Sequence, residues 1–198
     1  SYNNWVTGTL NTYLNNDYYN TLTSDAKNMI GTAKYFLGGY DSTGITSDVM
    51  WQYERKKSNG SDCKSSGENT QSGTQCYFYK MNPVMQNDAN EKIALMYASD
   101  YGYGASKECT SNVGDYGNNA SCKTTNNWLD KSQSTWLLSQ YSGKHDYVFY
   151  LYLVGFVDFM NSVRHYEYAV RPTLTLSSNV KISGGEGTSS NPYTLSIS

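Results

Sequence analysis

Four cysteines and two histidines carry the widest chemical repertoire in this 198-residue sequence. Cys63 and Cys76 enclose twelve residues, Cys109 and Cys122 enclose twelve more, and both intervals are polar and rich in Gly, Ser, Asn and Thr. A zinc site is the competing use of such residues, but no C-x-x-C occurs and no His stands near a Cys. Free cytosolic thiols would be exposed in loops this hydrophilic. Two sequential disulfides, Cys63–Cys76 and Cys109–Cys122, are therefore expected. Each closes a loop whose bridging stabilises a fold by about 3 kcal/mol in the chain-entropy model. They imply an oxidising compartment.

The histidines, His145 and His165, are expected at the surface. Many serines would allow a Ser-His-Asp set, yet there is no G-x-S-x-G elbow. H-E-x-x-H, a Walker loop and G-x-G-x-x-G are also absent. Gly184-Gly185-Glu186-Gly187 lacks the Lys and helix of a phosphate loop and reads as a turn. Asp41, Asp100, Asp115 and Asp158 are dispersed, without the D-x-D-x-D spacing of a calcium loop. Nothing singles out a carboxylate pair for glycosidic chemistry. The sequence predicts no catalytic residue, no metal site and no cofactor, hence a protein that is not an enzyme.

Binding is the alternative to catalysis, and the composition points there. Twenty Tyr and 17 Gly accompany abundant Asn, Ser and Thr. Tyr covers area at low entropic cost, while Ser, Gly and Asn supply adaptable hydrogen bonds, a mixture shared with binding loops. Only 16% of residues are charged and the net charge is −2, so no electrostatic footprint for nucleic acid or anionic lipid exists.

One segment concentrates the aromatics. From Tyr147 to Tyr166 the chain is nearly uncharged up to Asp158, and apolar residues occupy both strand faces. A half-buried strand needs them at alternate positions only. Either this is a central strand covered on both sides, or it is a ribbon with one aromatic face exposed to a partner. On the second reading the contact residues are Tyr147, Tyr150, Tyr152, Leu153, Phe156, Asp158, Phe159 and Met160, extended by Arg164, His165 and Tyr166.

The elements that must position this ribbon are short. Leu10, Tyr13, Leu14 and Tyr18 form an amphipathic helical stripe, and Ser24 or Asp25 can cap a second helix carrying Ala26, Met29 and Ile30. Ala33 to Leu37 reads as extended, ending at Gly38-Gly39. Val49 to Arg55 alternates as a strand. Lys92 to Ala98 reads as a buried strand running into a turn or short helix at Ser99 to Gly104. Trp128, Trp136, Leu137 and Leu138 return the chain to the core after the second bridged excursion. Gly155 interrupts the ribbon and suggests a hairpin or a bent ribbon, Tyr166 to Leu176 is extended, and Val180 to Ile197 holds two short β-prone runs. The longest apolar stretch, Tyr147 to Val157, is too short to span a bilayer, so the chain is expected to be soluble. It opens at Ser1 without a visible signal peptide, so an export or anchoring segment is expected to have been removed.

Several motifs together resemble the formylglycine-generating-enzyme-like branch of the C-type lectin fold. Trp136-Leu137-Leu138, Gly155 and Tyr168-Ala169-Val170-Arg171-Pro172 are similar to its terminal W-x-L-R-S … G … G-V-R-P signature. Leu10 to Asn20 with Lys27-Asn28-Met29-Ile30 is similar to the start of bacterial members, and Val180 to Leu195 to the tail of pilin-like surface proteins of gut Firmicutes. The resemblance implies an α+β, C-type lectin-like fold of short helices on a twisted, mostly antiparallel sheet, with two disulfide-closed insertions and residues 1–198 as one ligand-binding domain. It does not bring the enzyme's chemistry, since that depends on a C-terminal cysteine pair and no Cys follows Cys122. The Arg of W-x-L-R-S is also replaced, by Ser139.

The nearer likeness is to variable proteins of diversity-generating retroelements, whose hypervariable ligand-binding face precedes such a C-terminal framework. Here that face corresponds to 143–167, between the framework positions Val148, Gly155, Val157 and Val170. The likeness implies a surface-displayed adhesin- or receptor-type domain facing a protein or glycan ligand on another cell or host surface. A membrane would be reached only through a removed N-terminal anchor. A carbohydrate-binding module, or a pilin-like subunit using the same face for assembly, is the alternative.

Overall fold

A computed structural model describes residues 5–55, 57–58, 61–62, 70–71, 74–75, 88–122, 127, 129, 133–141, 147–160 and 167–198. The chain begins with a helical run made of α1 (Thr9–Thr12), a π-helical turn (Tyr13–Tyr18) and α2 (Tyr19–Thr21). Leu14 is buried, Leu10 and Tyr18 pack beside it, and Tyr13 points to solvent. From this run Asn15 reaches across. Its amide nitrogen donates to the Ile93 carbonyl at 2.8 Å, and its oxygen accepts from the Lys92 and Ile93 N–H groups. A side-chain amide thus replaces a neighbouring strand.

Helix α3 (Ser24–Met29) is capped one residue earlier than the sequence indicated: Thr23 Oγ1 accepts from the Ala26 N–H at 3.2 Å. Strands β1 (Ile30–Gly31), β2 (Ala33–Tyr35) and β3 (Gly39–Tyr40) follow. The predicted strand at Val49–Arg55 is instead helix α4 (Ser47–Glu54). The alternation of Val49, Trp51 and Tyr53 suggested a strand, but Met50, Tyr53 and Glu54 stand at i, i+3 and i+4 and turn one helical stripe inward. Burial of that stripe outweighs local pattern.

Four two-residue strands pair as two small hairpins, β4 (Lys57–Ser58) with β5 (Ser61–Asp62) and β6 (Thr70–Gln71) with β7 (Thr74–Gln75). The buried strand expected at Lys92–Ala98 is present as β9 (Ile93–Leu95), preceded by β8 (Ala89–Glu91) and followed by α5 (Ala98–Tyr103). A 3-10 helix (Val113–Asn118), β10 (Thr135–Tyr141), β11 (Val148–Leu151), β12 (Val157–Met160), β13 (Pro172–Leu176), β14 (Val180–Gly184) and β15 (Thr194–Ile197) complete the order.

The architecture is mixed α+β, with short helices and several small sheets rather than one. The largest sheet runs β12-β11-β10-β3, antiparallel except for the parallel β10–β3 pair. A three-stranded sheet runs β1-β13-β9, β2 pairs β8, and β14–β15 is a hairpin by itself. Two cores flank β10, because adjacent strand residues point to opposite faces. Leu137 joins Tyr40, Met50, Tyr101, Tyr116, Phe149, Leu151 and Val157; Leu138 joins Leu14, Tyr35, Leu37, Ile93 and Leu95. The Cys109–Cys122 disulfide is formed and lies against the first core. Cys63 and Cys76 lie outside the described residues.

Candidate ligand-binding surface

The β11–β12 hairpin separates its aromatics by strand face. Phe149, Leu151 and Val157 are fully buried in the first core, and Tyr40 lies 4.6 Å from Phe149 between ring centroids. The opposite face carries Tyr150, paired across the strands with Trp136 on one side and Asp158 on the other. Trp136, Tyr168, Tyr150, Tyr152 and Phe156 form a continuous row of rings, with successive centroids 4.6, 5.1, 6.1 and 5.3 Å apart. Such offset and tilted aromatic contacts add about 0.5–1.5 kcal/mol each beyond area burial. All except Tyr150 are half-buried, so each presents an edge to solvent while its neighbour holds it still.

The row ends at the turn, where Leu153 and Val154 are 45% and 47% exposed. The turn is nevertheless tightly held. Tyr152 N–H donates to Phe156 O at 2.8 Å, Gly155 N–H to Tyr152 O at 2.9 Å, and Leu153 N–H to Ser134 Oγ at 3.2 Å. Beneath it the Tyr101 hydroxyl of α5 donates to Gly155 O at 2.9 Å. Gly155 has φ 87°, a left-handed conformation that a side chain would strain, which explains why glycine stands where the ribbon reverses. The result is an apolar knuckle, exposed at its tip and fixed at its base.

Asp158 supplies the charge on this face. Its Oδ2 accepts from the Tyr150 hydroxyl at 3.3 Å; burial first, and this carboxylate second, push the Tyr150 phenol above its ordinary range and keep it a donor. A second cluster of polar groups lies deeper. Glu54, fully buried on α4, accepts from Ser139 Oγ at 2.6 Å, from the Tyr40 hydroxyl and the Ser99 N–H at 3.1 Å each, and from the Ser99 hydroxyl. Burial raises its carboxyl to about 7 against the pull of the serine donors. Sealed from solvent, it ties α4, α5, β3 and β10 together, and the Arg55 guanidinium lies 3.4 Å from its Oε2.

Measured against the sequence expectations, the ribbon is half covered. Tyr150 is corrected from exposed contact to interior residue, 6% exposed, because Trp136 and Tyr168 close over it. Phe156 and Phe159 are half-buried and pack against the first core, and Tyr147 stacks on Tyr141 at 5.2 Å. Tyr152 and Asp158 are partly accessible and Leu153 is open. Met160 ends β12, opposite Val148. Arg164, His165 and Tyr166 lie outside the described residues.

Val154 at the tip and the supports Ser134 and Tyr101 were not expected at the site, and Tyr168 was expected in a C-terminal motif but not in the row. Only Val154, directly before the turn glycine, was detectable by position; the others come from distant segments. Among the described residues no three His, Cys, Asp or Glu side chains gather as a metal cage, and no helix is long and apolar enough to cross a membrane. The disulfide indicates an oxidising environment. Comparison with family models, with curated proteins and with solved structures returned no match.

Proposed function

We propose that the chain is an exported, surface-displayed ligand-binding domain of the adhesin or receptor type, with a C-type lectin-like fold, and not an enzyme. One observation carries this reading: Leu153 and Val154 are exposed on a turn whose backbone is held by four hydrogen bonds. Exposed apolar side chains on a pre-organised base are the form a contact anchor takes, since little entropy is lost on binding. The edges of Tyr152 and Phe156 widen the contact, and Asp158 gives it orientation. The partner is a protein or glycan on another cell or host surface.

The test is flow cytometry of the labelled chain on bacterial and host cells, with a Leu153→Ser/Val154→Ser variant beside the wild type. Loss of cell binding with an unchanged melting temperature supports the reading; equal binding by both, or none by either, overturns it. A glycan array run against a protein panel then separates the two ligand classes. Retroelement diversification of 143–167 belongs to the same proposal. Its test is a neighbouring reverse transcriptase gene with a near-repeat of the 140–170 coding segment differing only at adenines.

A second reading, a pilin-like subunit that assembles with copies of itself, is favoured by the β14–β15 hairpin. Ile182 pairs Leu195 and Val180 pairs Ile197 on one face, and Ile182, Leu195 and Ile197 are exposed. Concentration-dependent sedimentation distinguishes it from a monomeric adhesin.

A further inference from the structure

A second concavity lies away from the hairpin, between the start of α4, the end of α5 and the segment that follows α5. It is a cleft of about 290 Å3 whose lining is dominated by hydroxyl groups: Ser47 from α4, and Ser106, Thr110 and Ser111 from the segment after α5. Asp48 and Tyr103 face each other across it, the Tyr103 hydroxyl donating to Asp48 Oδ1 at 2.6 Å. Tyr103 is 53% exposed, so much of its ring is open to solvent.

The walls are built to stay in place. Tyr116 donates to the Gly102 carbonyl at 3.1 Å and lies 3.3 Å from Ser47 Oγ, joining α4 to α5 under the cleft. A Cβ on Gly102 would sit 2.0 Å from Ser47 Oγ, so only glycine lets the two helices approach this closely. The outer wall is anchored by Cys109, disulfide-bonded to Cys122. The Tyr103 phenol is pushed up to about 12, by loss of hydration and then by the Asp48 carboxylate, and remains a donor at any physiological pH.

These groups narrow the ligand class. Lys107 also lines the cleft, but its side chain stands in solvent with Glu108 3.9 Å away, and an anion inside would meet the Asp48 carboxylate. A calcium ion needs several carboxylates among six to eight oxygens, and one lines this cleft. An apolar ligand would take water from the Asp48 carboxylate and from the serine and threonine hydroxyls and offer them nothing in return. A neutral sugar ring satisfies all of them. Its C–H face can stack on Tyr103, and vicinal hydroxyls can donate to Asp48, which uses one acceptor site on Tyr103 of about four available to a carboxylate. Ser106 donates to Glu108 Oε2 and Ser111 accepts from the Asn119 amide, so the acceptor site left on Ser106 and the proton left on Ser111, with the Thr110 hydroxyl, are what the sugar would meet.

We propose that this cleft is a second binding site, separate from the hairpin tip, that holds one neutral sugar unit with its ring against Tyr103 and two hydroxyls on Asp48. It stands on its own residues and holds whether or not the hairpin tip binds a partner.

The test is a titration of the 15N-labelled chain with methyl glycosides of glucose, galactose, mannose and N-acetylglucosamine, followed by amide chemical shifts. At least one is expected to shift Ser47, Asp48, Tyr103 and Ser111, with a dissociation constant on the order of 1 mM. Tyr103→Ala should weaken that binding by about tenfold or more. Tyr103→Phe, which keeps the ring, should stay within about threefold. Asp48→Asn should lose about tenfold. The proposal is overturned if no glycoside shifts these amides, if the shifts fall on 152–156 instead, or if Tyr103→Ala binds as the wild type does. Tyr103 is exposed, so its replacement leaves the fold intact, and the Tyr103→Phe spectrum checks this.

Discussion

The Tyr101 hydroxyl donates to the Gly155 carbonyl oxygen at 2.9 Å, joining the middle of α5 to the reversal of the β11–β12 hairpin across 54 residues of sequence. Both groups are buried, and the bond is the support that lets the adjacent Leu153 and Val154 stand in solvent without the turn collapsing. Tyr101→Phe removes the hydroxyl and leaves the carbonyl unpaired in the interior. It should destabilise the protein by about 1–3 kcal/mol. Urea denaturation reads the loss, and amide exchange at Gly155 should accelerate; a denaturation midpoint equal to the wild type would show the bond to be idle.

The two faces of the hairpin should respond oppositely to truncation. Phe149 is fully buried beside Tyr40, and Phe149→Ala should cost about 3–5 kcal/mol. Leu153→Ser and Val154→Ser act at the exposed tip and should each change stability by less than about 0.5 kcal/mol. Phe156 and Phe159 pack against the first core, so truncating either should cost stability as well as contact area. Thermal melts of the three single variants check the contrast, and a large loss at Val154 would place the tip inside the folded interior.

Glu54 sets a pH dependence of defined sign. Burial raises its folded value to about 7, above the 4.5 of an unfolded glutamate. Below 4.5 both states are protonated and the contribution is complete. As pH rises from 4.5 to 7 the unfolded chain gives up its proton and the folded chain retains it, so stability falls and then levels off above 7. At about 1.4 kcal/mol per unit the loss is on the order of 3 kcal/mol. Asp100, also raised by burial, adds a slope of the same sign. Glu54→Gln should flatten most of the decline. Urea midpoints of both proteins across the window decide it, and parallel curves would show that Glu54 folds ionised.

Reduction of the Cys109–Cys122 bridge should lower stability by about 3 kcal/mol, as expected for a loop of this length. Cys122 is buried against the first core, so a Cys109→Ser/Cys122→Ser variant should lose somewhat more than reduction alone. The comparison of oxidised, reduced and doubly substituted protein in urea separates the two effects. No change on reduction would mean that packing alone holds this segment.

Much of the local structure was legible. Leu10, Leu14 and Tyr18 at helical spacing, the β-prone runs around Gly184-Gly185 and the reversal at Gly155 all appear where their residues indicate, because each depends on neighbours in sequence. The Cys109–Cys122 pairing was legible for the same reason, being the closure of one polar loop. The failure at Val49–Arg55 has the opposite cause. Alternation and helical spacing coexist there, and the core that receives Met50 and Glu54 includes residues as distant in sequence as Val157. Tertiary burial chose between two patterns the sequence carries equally.

The sequence by itself determined that an aromatic, nearly uncharged β segment is interrupted at Gly155, pointing to a hairpin or a bent ribbon there. Only the tertiary structure decided which of those aromatics face outward. Trp136 and Tyr168, arriving from other segments, cover Tyr150; Tyr101 and Ser134 prop up the turn; Leu153 and Val154 are left in water. Strand alternation assigns residues to two faces, but which face is closed depends on what the rest of the chain packs against it.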